Sequence, residues 1–130
     1  MIWINAIKRL PDAEFELMRI LWSNEPPMST NQIIAGLDPG NTWKPQTVLT
    51  LLVRLIEKGF LDSEKVGKER TYAPRISREE YLRSETGSLF DKLHGNSIFS
   101  LVNALYDGKR LSKKEIADLR KWLDERTYTE

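Results

Sequence analysis

Residues 43–61, which read WKPQTVLTLLVRLIEKGFL, contain the strongest helical pattern of the chain. Pro45 suits the first turn of a helix, where its missing N–H leaves no hydrogen bond unmade. Gly59 suits the left-handed position that follows a helix end. Between them, apolar residues recur at the spacing of one helix face, at Val48, Leu51, Leu52, Leu55 and Ile56. The stretch therefore predicts an amphipathic helix that begins at Pro45 and packs its leucine-rich side on a core.

The opposite side of this helix carries hydrogen-bonding side chains instead of the Glu/Lys pattern of an ordinary solvated helix. Glutamine can pair bidentately with adenine, and threonine can bond to a base edge or touch a thymine methyl group. We therefore predict that this face reads DNA bases through Gln46 and Thr50 and, on its flanks, Thr47 and Arg54. The alternative at this point is that Thr47, Thr50 and Arg54 merely coat a solvent-exposed helix.

Two shorter helices are predicted before this segment. The first runs from Asp12, whose carboxylate we expect to cap it, to Trp22, with apolar residues at helical spacing. The second opens with Ser29-Thr30-Asn31-Gln32, which matches a capping box, and continues through Ile33 and Ile34. Both helices supply apolar faces on which the leucine-rich helix can pack.

A β-ribbon is predicted after the leucine-rich helix. Residues 60–66 and 69–74 flank Gly67-Lys68, and the glycine marks a hairpin tip. Three helices followed by such a ribbon make the plan of a winged helix-turn-helix. Cations at a hairpin tip suit the phosphate backbone beside a major-groove helix. We therefore predict backbone contacts from Lys44 and from the ribbon residues Lys65, Lys68 and Arg70.

The remainder of the chain is predicted to be helical. Two further capping boxes, Ser77 with Glu80 and Ser112 with Glu115, begin helices whose apolar residues recur at helical spacing. We expect a mainly α fold with a small β-ribbon, in which residues 1–76 form a winged helix-turn-helix domain and residues 77–130 a helical dimerisation domain. The predicted dimer interface comprises Ile98, Leu101, Val102, Leu105, Ile116, Leu119, Trp122 and Leu123.

Composition narrows the classes of function. The formal net charge is only +1, but residues 44–75 carry seven Lys/Arg against four Asp/Glu, a local footprint for phosphates. There is no cysteine, which excludes thiolate metal sites and cysteine catalysis, and the single histidine, His94, argues against a histidine metal site. The carboxylates Glu14, Glu16, Glu79 and Glu80 are expected on helix surfaces. We therefore predict neither an enzyme nor a cofactor.

No run reaches the roughly 18–20 apolar residues needed to cross a bilayer. The apolar start, Met1 to Ile7, lacks the positive region and cleavage site of a secretory signal. We therefore expect no membrane insertion and a cytoplasmic location. Met1 to Ile7 is expected either to cover the core or to pair with another chain.

Several stretches together resemble the penicillinase repressor family, the BlaI, MecI and CopY type. The resemblance runs from about residue 10 to 125 and is carried by residues 12–18 (DAEFELM), 21–22 (LW), 43–55 (WKPQTVLTLLVRL), 58–61 (KGFL), 70–74 (RTYAP) and 111–116 (LSKKEI). It implies an N-terminal winged-helix domain and a C-terminal three-helix dimerisation domain. It further implies a homodimer that binds inverted-repeat operators of double-stranded DNA and represses transcription.

Carried over by position, the resemblance implies DNA-reading roles for the same four residues, Gln46, Thr47, Thr50 and Arg54. It also implies that Ser29, Thr30 and Asn31 lie near phosphate. The chain departs from its relatives at Leu49, often basic or polar there, and at Lys44, where relatives tend to have a capping serine. Leu49 and the outward Val53 leave open the alternative of a winged-helix module that binds another protein and does not read DNA.

The resemblance says less about the inducing signal. Copper-responsive members use a cysteine cluster, so the lack of cysteine excludes copper-thiolate sensing here. Antibiotic-resistance members are inactivated by proteolysis between asparagine and phenylalanine in the C-terminal domain. The matching pair here is Ala104-Leu105. Inactivation by a regulatory protease is therefore left open.

Overall fold

The computed structural model describes residues 7–126, which form six helices and one three-stranded sheet. The elements are α1 (Asp12–Trp22), β1 (Met28–Ser29), α2 (Thr30–Ala35), α3 (Pro45–Glu57), β2 (Leu61–Val66), β3 (Glu69–Pro74), α4 (Arg78–His94), α5 (Ile98–Asp107) and α6 (Lys113–Arg126). The predicted fold class is confirmed, with three helices and a β-ribbon in the first part and helices in the remainder. None of the described helices is both long and apolar enough to cross a membrane.

The chain divides into two compact units between Glu85 and Thr86, within α4. The sequence instead suggested a boundary at residues 76/77. The first turns of α4 lie with the first unit because Tyr81 is buried in its core. Most of Met1 to Ile7, with its expected covering or pairing role, lies outside the described residues, although Ile7 itself packs against that core.

The sheet of the first unit is antiparallel, in the order β1-β3-β2. Strands β2 and β3 form the predicted hairpin, hereafter the wing, whose ladder ends with Val66 opposite Glu69. Gly67 turns the chain there with φ +67°, a conformation that glycine adopts without steric penalty. Strand β1 was not predicted. It pairs Met28 with Tyr72 on β3 and so ties the start of α2 to the wing.

The core of the first unit lies where α1, α2, α3 and the sheet meet. Helix α3 contributes the leucine-rich face that its periodicity predicted, and Gly59 follows with φ +84°. The buried apolar residues are Leu10, Leu17, Met18, Ile20, Leu21, Met28, Ile33, Val48, Leu51, Leu52, Leu55, Phe60, Leu61, Tyr72 and Tyr81. This packing fixes which side of α3 remains available to a ligand.

An aromatic cluster, defined by Phe15, Trp22, Phe60 and Tyr81, holds the start of α4 against this core. The ring centroid of Tyr81 lies 5.7–5.8 Å from the centroids of the other three residues' rings. The Leu10 amide donates to the Tyr81 hydroxyl at 2.9 Å, and the Trp22 indole N–H donates to the Ile76 carbonyl at 2.8 Å. The polar ends of both rings are therefore satisfied, as buried tyrosine and tryptophan require.

Two expectations for α1 are wrong. Pro11, not Asp12, occupies the N-cap position, and no side chain caps the helix. The helix spans Asp12 to Trp22 as predicted, but Pro11 has the extended backbone of an N-cap residue, so Asp12 lies in the first turn, near the helix dipole. Glu14, expected on a helix surface, is buried and forms an ion pair with Lys58. That partner is distant in sequence, so helical spacing could not reveal it.

The second unit consists of helical segments without a buried residue anywhere in residues 86–126. Gly95 and Asn96 end α4 with positive φ, and Ser97 then caps α5 by accepting from the Ser100 amide. His94 shares a hydrogen bond of 2.8 Å with the Ser100 hydroxyl. At α6, the predicted Ser112–Glu115 box is present, with both reciprocal bonds formed. This unit thus has well-capped helices but no core within the described chain.

Candidate nucleic-acid interface

The side of α3 that faces away from the core is open to solvent. Gln46, Thr47, Thr50 and Arg54 are all exposed, so the predicted base-reading residues share an accessible surface. The buried residues of α3 occupy the opposite side of the same helix. Had these polar side chains been covered, α3 could not enter a groove. A helix of this width fits the major groove of B-form DNA.

Thr50 is already hydrogen-bonded within α3. Its hydroxyl donates to the Gln46 carbonyl at 3.0 Å, the usual back-bond of threonine to the preceding turn. Because the hydroxyl hydrogen is used in this bond, the oxygen offers only its acceptor capacity to a ligand. In this conformation Thr50 matches a base that presents an exocyclic amino group in the major groove, adenine or cytosine.

The three predicted phosphate-binding residues of the wing are exposed at or next to its tip. Lys65 on β2 lies opposite Arg70 on β3, next to the tip, and Lys68 lies in the turn itself. The Arg70 guanidinium donates to the Ser63 hydroxyl at 2.9 Å. Ser63 thus orients Arg70, a role that the sequence analysis missed because the two residues are joined only by strand register.

The three candidate residues at the start of α2 differ in their exposure to solvent. Ser29 is buried, and its hydroxyl accepts from the Gln32 amide while the Gln32 side chain accepts from the Ser29 amide. The predicted capping box is therefore present. Thr30 is half-buried and Asn31 is exposed. Of the three, Asn31 is the residue whose side chain is most available to a phosphate.

Five exposed cations of α3, its N-cap and the wing have no carboxylate partner among the described residues. Across the described stretch of residues 7–126, the ion pairs use other basic residues and leave these five unpaired: Lys44, Arg54, Lys65, Lys68 and Arg70. Glu57, Glu64 and Glu69 are exposed nearby, so the surface is mixed and not uniformly positive. Unpaired exposed cations are free to neutralise phosphates and release counterions.

Leu49 and Val53 interrupt this polar surface. Their exposed fractions are 36% and 51%, although both side chains are apolar. They lie on the outward side of α3 together with Gln46 and Thr50, as the helical spacing indicated. The exposed face of α3 therefore combines polar base-reading candidates with two aliphatic side chains.

A second apolar surface lies in the second unit. Leu101 and Val102 are half-buried, and the other predicted interface residues, Ile98, Leu105, Ile116, Leu119, Trp122 and Leu123, are exposed. Three further apolar residues that were not predicted for this surface are also exposed: Leu93, Phe99 (to 81%) and Tyr106. Phe99 could have been found from its place beside Ile98 at the start of a strongly apolar helix.

No group of three or more His, Asp or Glu in residues 7–126 is arranged to hold a metal ion. The shifted pKa values belong to structural groups. Hydrogen bonds from Ser77 and Ser112, first of all from their backbone amides, lower the pKa of Glu80 and Glu115 in the two capping boxes.

Comparison with known proteins agrees with this geometry. The family model described as penicillinase repressor matches residues 10–125. The penicillinase repressor of Bacillus licheniformis is 33% identical over 94% of this chain and 94% of its own length. The methicillin resistance regulatory protein MecI of Staphylococcus aureus is 30% identical over 94% of this chain and 98% of its own. The solved DNA-binding domain of the repressor BlaI superposes with a TM-score of 0.51 at 39% identity, over 58% of this chain and 90% of that domain.

Proposed function

The chain belongs to the penicillinase repressor family, and on that premise we propose that it represses transcription by binding an operator in double-stranded DNA. In this proposal α3 enters the major groove, where Gln46 and Thr50 read base edges. The observation that carries it is the exposure of both residues on the side of α3 opposite the core. Thr47 and Arg54 flank the same face and extend the contact.

The wing and the start of α2 supply the backbone contacts of the proposed complex. Lys65, Lys68 and Arg70 are exposed and unpaired with carboxylates in the described chain, which leaves them available to phosphates. Lys44 precedes α3, and the residues Ser29, Thr30 and Asn31 begin α2. Of these last three, Asn31 is expected to make the most direct contact, because Ser29 is engaged as a cap.

We propose that the repressor acts as a homodimer on an inverted repeat. The support is the second unit, whose described residues include no buried side chain and many exposed apolar ones. Helices that bury nothing have little tertiary stabilisation of their own, and a partner chain provides it. Two copies of α3 spaced by about one helical turn of DNA would then read two half-sites. Of the predicted dimerisation domain, residues 77–130, we assign the part that follows Glu85 to dimerisation, because the residues before it pack with the first unit. We also propose a cytoplasmic location, where the operator is accessible.

Selection of duplexes from a random library by the full chain tests this function. The selected sites should be inverted repeats, and log Kd should vary linearly with log salt. Gln46→Ala should relax base preference at one position in each half-site, whereas Lys68→Ala should weaken all sequences alike and lower the salt slope by about 1 per protomer. Absence of salt-dependent duplex binding would contradict the proposal and favour the alternative, a winged-helix module that binds protein.

A regulatory protease is a secondary proposal. Ala104 and Leu105, the pair that matches the cleavage position of relatives, are exposed on α5. Cutting there would separate α6 from the rest of the dimerisation surface and so release the operator. The test is mass spectrometry of the chain recovered from induced cells, in which a fragment ending at Ala104 is expected. Recovery of the intact chain alone under full induction would contradict it.

A further inference from the structure

Leu49 and Val53 have no packing role in the core. Helix α3 already buries four apolar side chains on its inner face, and these two lie one turn apart on its outer face. Leu49 follows Gln46 by three residues, and Val53 follows Leu49 by four. At about 100° per residue, these spacings place Val53 close to the centre of the exposed stripe that begins with Gln46.

We infer that Leu49 and Val53 contact the 5-methyl groups of thymine in the major groove, and that they give the chain a preference for A·T pairs there. The inference rests on the proposed function of α3. The thymine methyl is the apolar group that DNA presents on a major-groove base edge, and cytosine has none at that position. An aliphatic side chain on a groove-facing helix therefore has a definite partner there.

The neighbours of the two side chains favour the same base pair. Gln46 can bond bidentately to N6 and N7 of adenine. The Thr50 oxygen, restricted to accepting by its bond to the Gln46 carbonyl, matches the amino group of adenine or of cytosine, so it is compatible with an adenine chosen by Gln46. Because every adenine pairs with a thymine, a helix face that reads adenine amino groups also passes thymine methyls.

The cations on the exposed face of α3 and on the wing favour DNA over an apolar groove of a protein. Lys44 and Arg54 flank the two aliphatic side chains along α3, and both are exposed. The wing cations Lys65 and Lys68 lie on the same unit and are likewise exposed. A unit that presents two aliphatic side chains and several exposed cationic side chains complements DNA, a polyanion that carries isolated methyl groups.

The experiment deletes the methyl groups from the ligand. The full chain is titrated with its selected duplex and with duplexes in which single thymines are replaced by deoxyuridine. In each half-site, one or two of these replacements should each raise Kd about three- to fivefold. This is the loss of affinity expected when one methyl group is no longer buried in the complex. In Leu49→Ala, and separately in Val53→Ala, one of these positions should become insensitive to the replacement while the others remain sensitive.

Val66→Ala is the matched control. Val66 is an aliphatic residue that is 59% exposed on β2 and is not part of the exposed face of α3, so this variant should keep the full uracil sensitivity. Tight, salt-dependent binding that ignores every uracil replacement would overturn this inference and leave the proposed function standing. Loss of a protein partner in Leu49→Ala with unchanged methyl sensitivity would also overturn it. Failure to bind any duplex would instead overturn the proposed function itself.

Discussion

The carboxylate of Glu14 on α1 forms an ion pair with the ammonium group of Lys58, which follows the last residue of α3. The Glu14 side chain is only 4% exposed, whereas that of Lys58 is 26% exposed. The pair joins the end of the helix that we assign to the DNA groove to the first helix of the core. It therefore stabilises the position of α3 as well as the fold.

Removal of one partner from this pair should destabilise the fold unequally. Lys58→Met leaves a buried carboxylate without a counterion and should lower the free energy of unfolding by about 3–5 kcal/mol. Glu14→Gln leaves a lysine that can reach water, so a smaller loss of about 1–3 kcal/mol is expected. Urea unfolding measures both. In the double variant the loss should be smaller than the sum, and strict additivity would contradict a direct interaction.

Gly59 should resist replacement because of its backbone alone. A Cβ at this position would meet nothing within 4 Å, but φ is +84°. Gly59→Ala should therefore lower the free energy of unfolding by about 1–2 kcal/mol, the penalty of the left-handed conformation for an L-residue. Gly40→Ala is the matched control, since that site is equally open without a positive φ, and it should change stability by less than about 0.5 kcal/mol. Equal effects would contradict this explanation.

A charge on the apolar face of α6 should separate the proposed dimer. Leu119 is 40% exposed in the single chain, and Leu119→Lys would place an ammonium group among the other apolar residues of that helix. We expect a monomer in sedimentation equilibrium and a loss of operator affinity of about 100-fold, because the two half-sites are no longer bound together. Ala117→Lys, which makes the same charge change at another exposed position of α6, should remain dimeric. A dimeric Leu119→Lys would refute the interface.

Tyr81 should make stability fall at alkaline pH. Burial raises the pKa of its hydroxyl above the ordinary value of 10. A group whose pKa is raised by folding contributes stability that is present below its unfolded pKa and lost as pH rises through the folded value. The stability advantage of the wild type over Tyr81→Phe should therefore shrink above about pH 10. Unfolding free energies measured at intervals from pH 8 to 11 test this, and a constant difference would count against it.

Local signals determined most of what could be predicted. The boxes at Ser29, Ser77 and Ser112 are formed within four residues of sequence, and all three are present. The ends of α3 and β2 also follow from a local signal, because Gly59 and Gly67 adopt a positive φ there, as glycine does without steric penalty. The exposed face of α3 followed from its periodicity, because the buried residues leave only one side to a ligand.

Contacts between distant residues explain what was missed. Strand β1 has two residues and no periodicity, and it exists because Met28 pairs with Tyr72. The burial of Glu14 depends on Lys58, and that of Tyr81 on the aromatic cluster. Neither partner can be inferred from helical spacing. The exposure of Leu49 was foreseeable, but its combination with a threonine restricted to accepting required the hydrogen bond at Thr50.

The wing is attached to the rest of its unit at one end only, so its length can change at the other end. Near its base, Tyr72 is held by Met28 on β1, while the tip at Gly67-Lys68 is a free turn. Insertions at that tip can lengthen the ribbon without disturbing its anchored end. Lys65 and Arg70 would keep their present face after any such insertion, because side chains alternate along a strand from its anchored end and both residues lie between that end and the added ones. The length of the tip can therefore vary while the two cations nearer the anchored end keep their orientation.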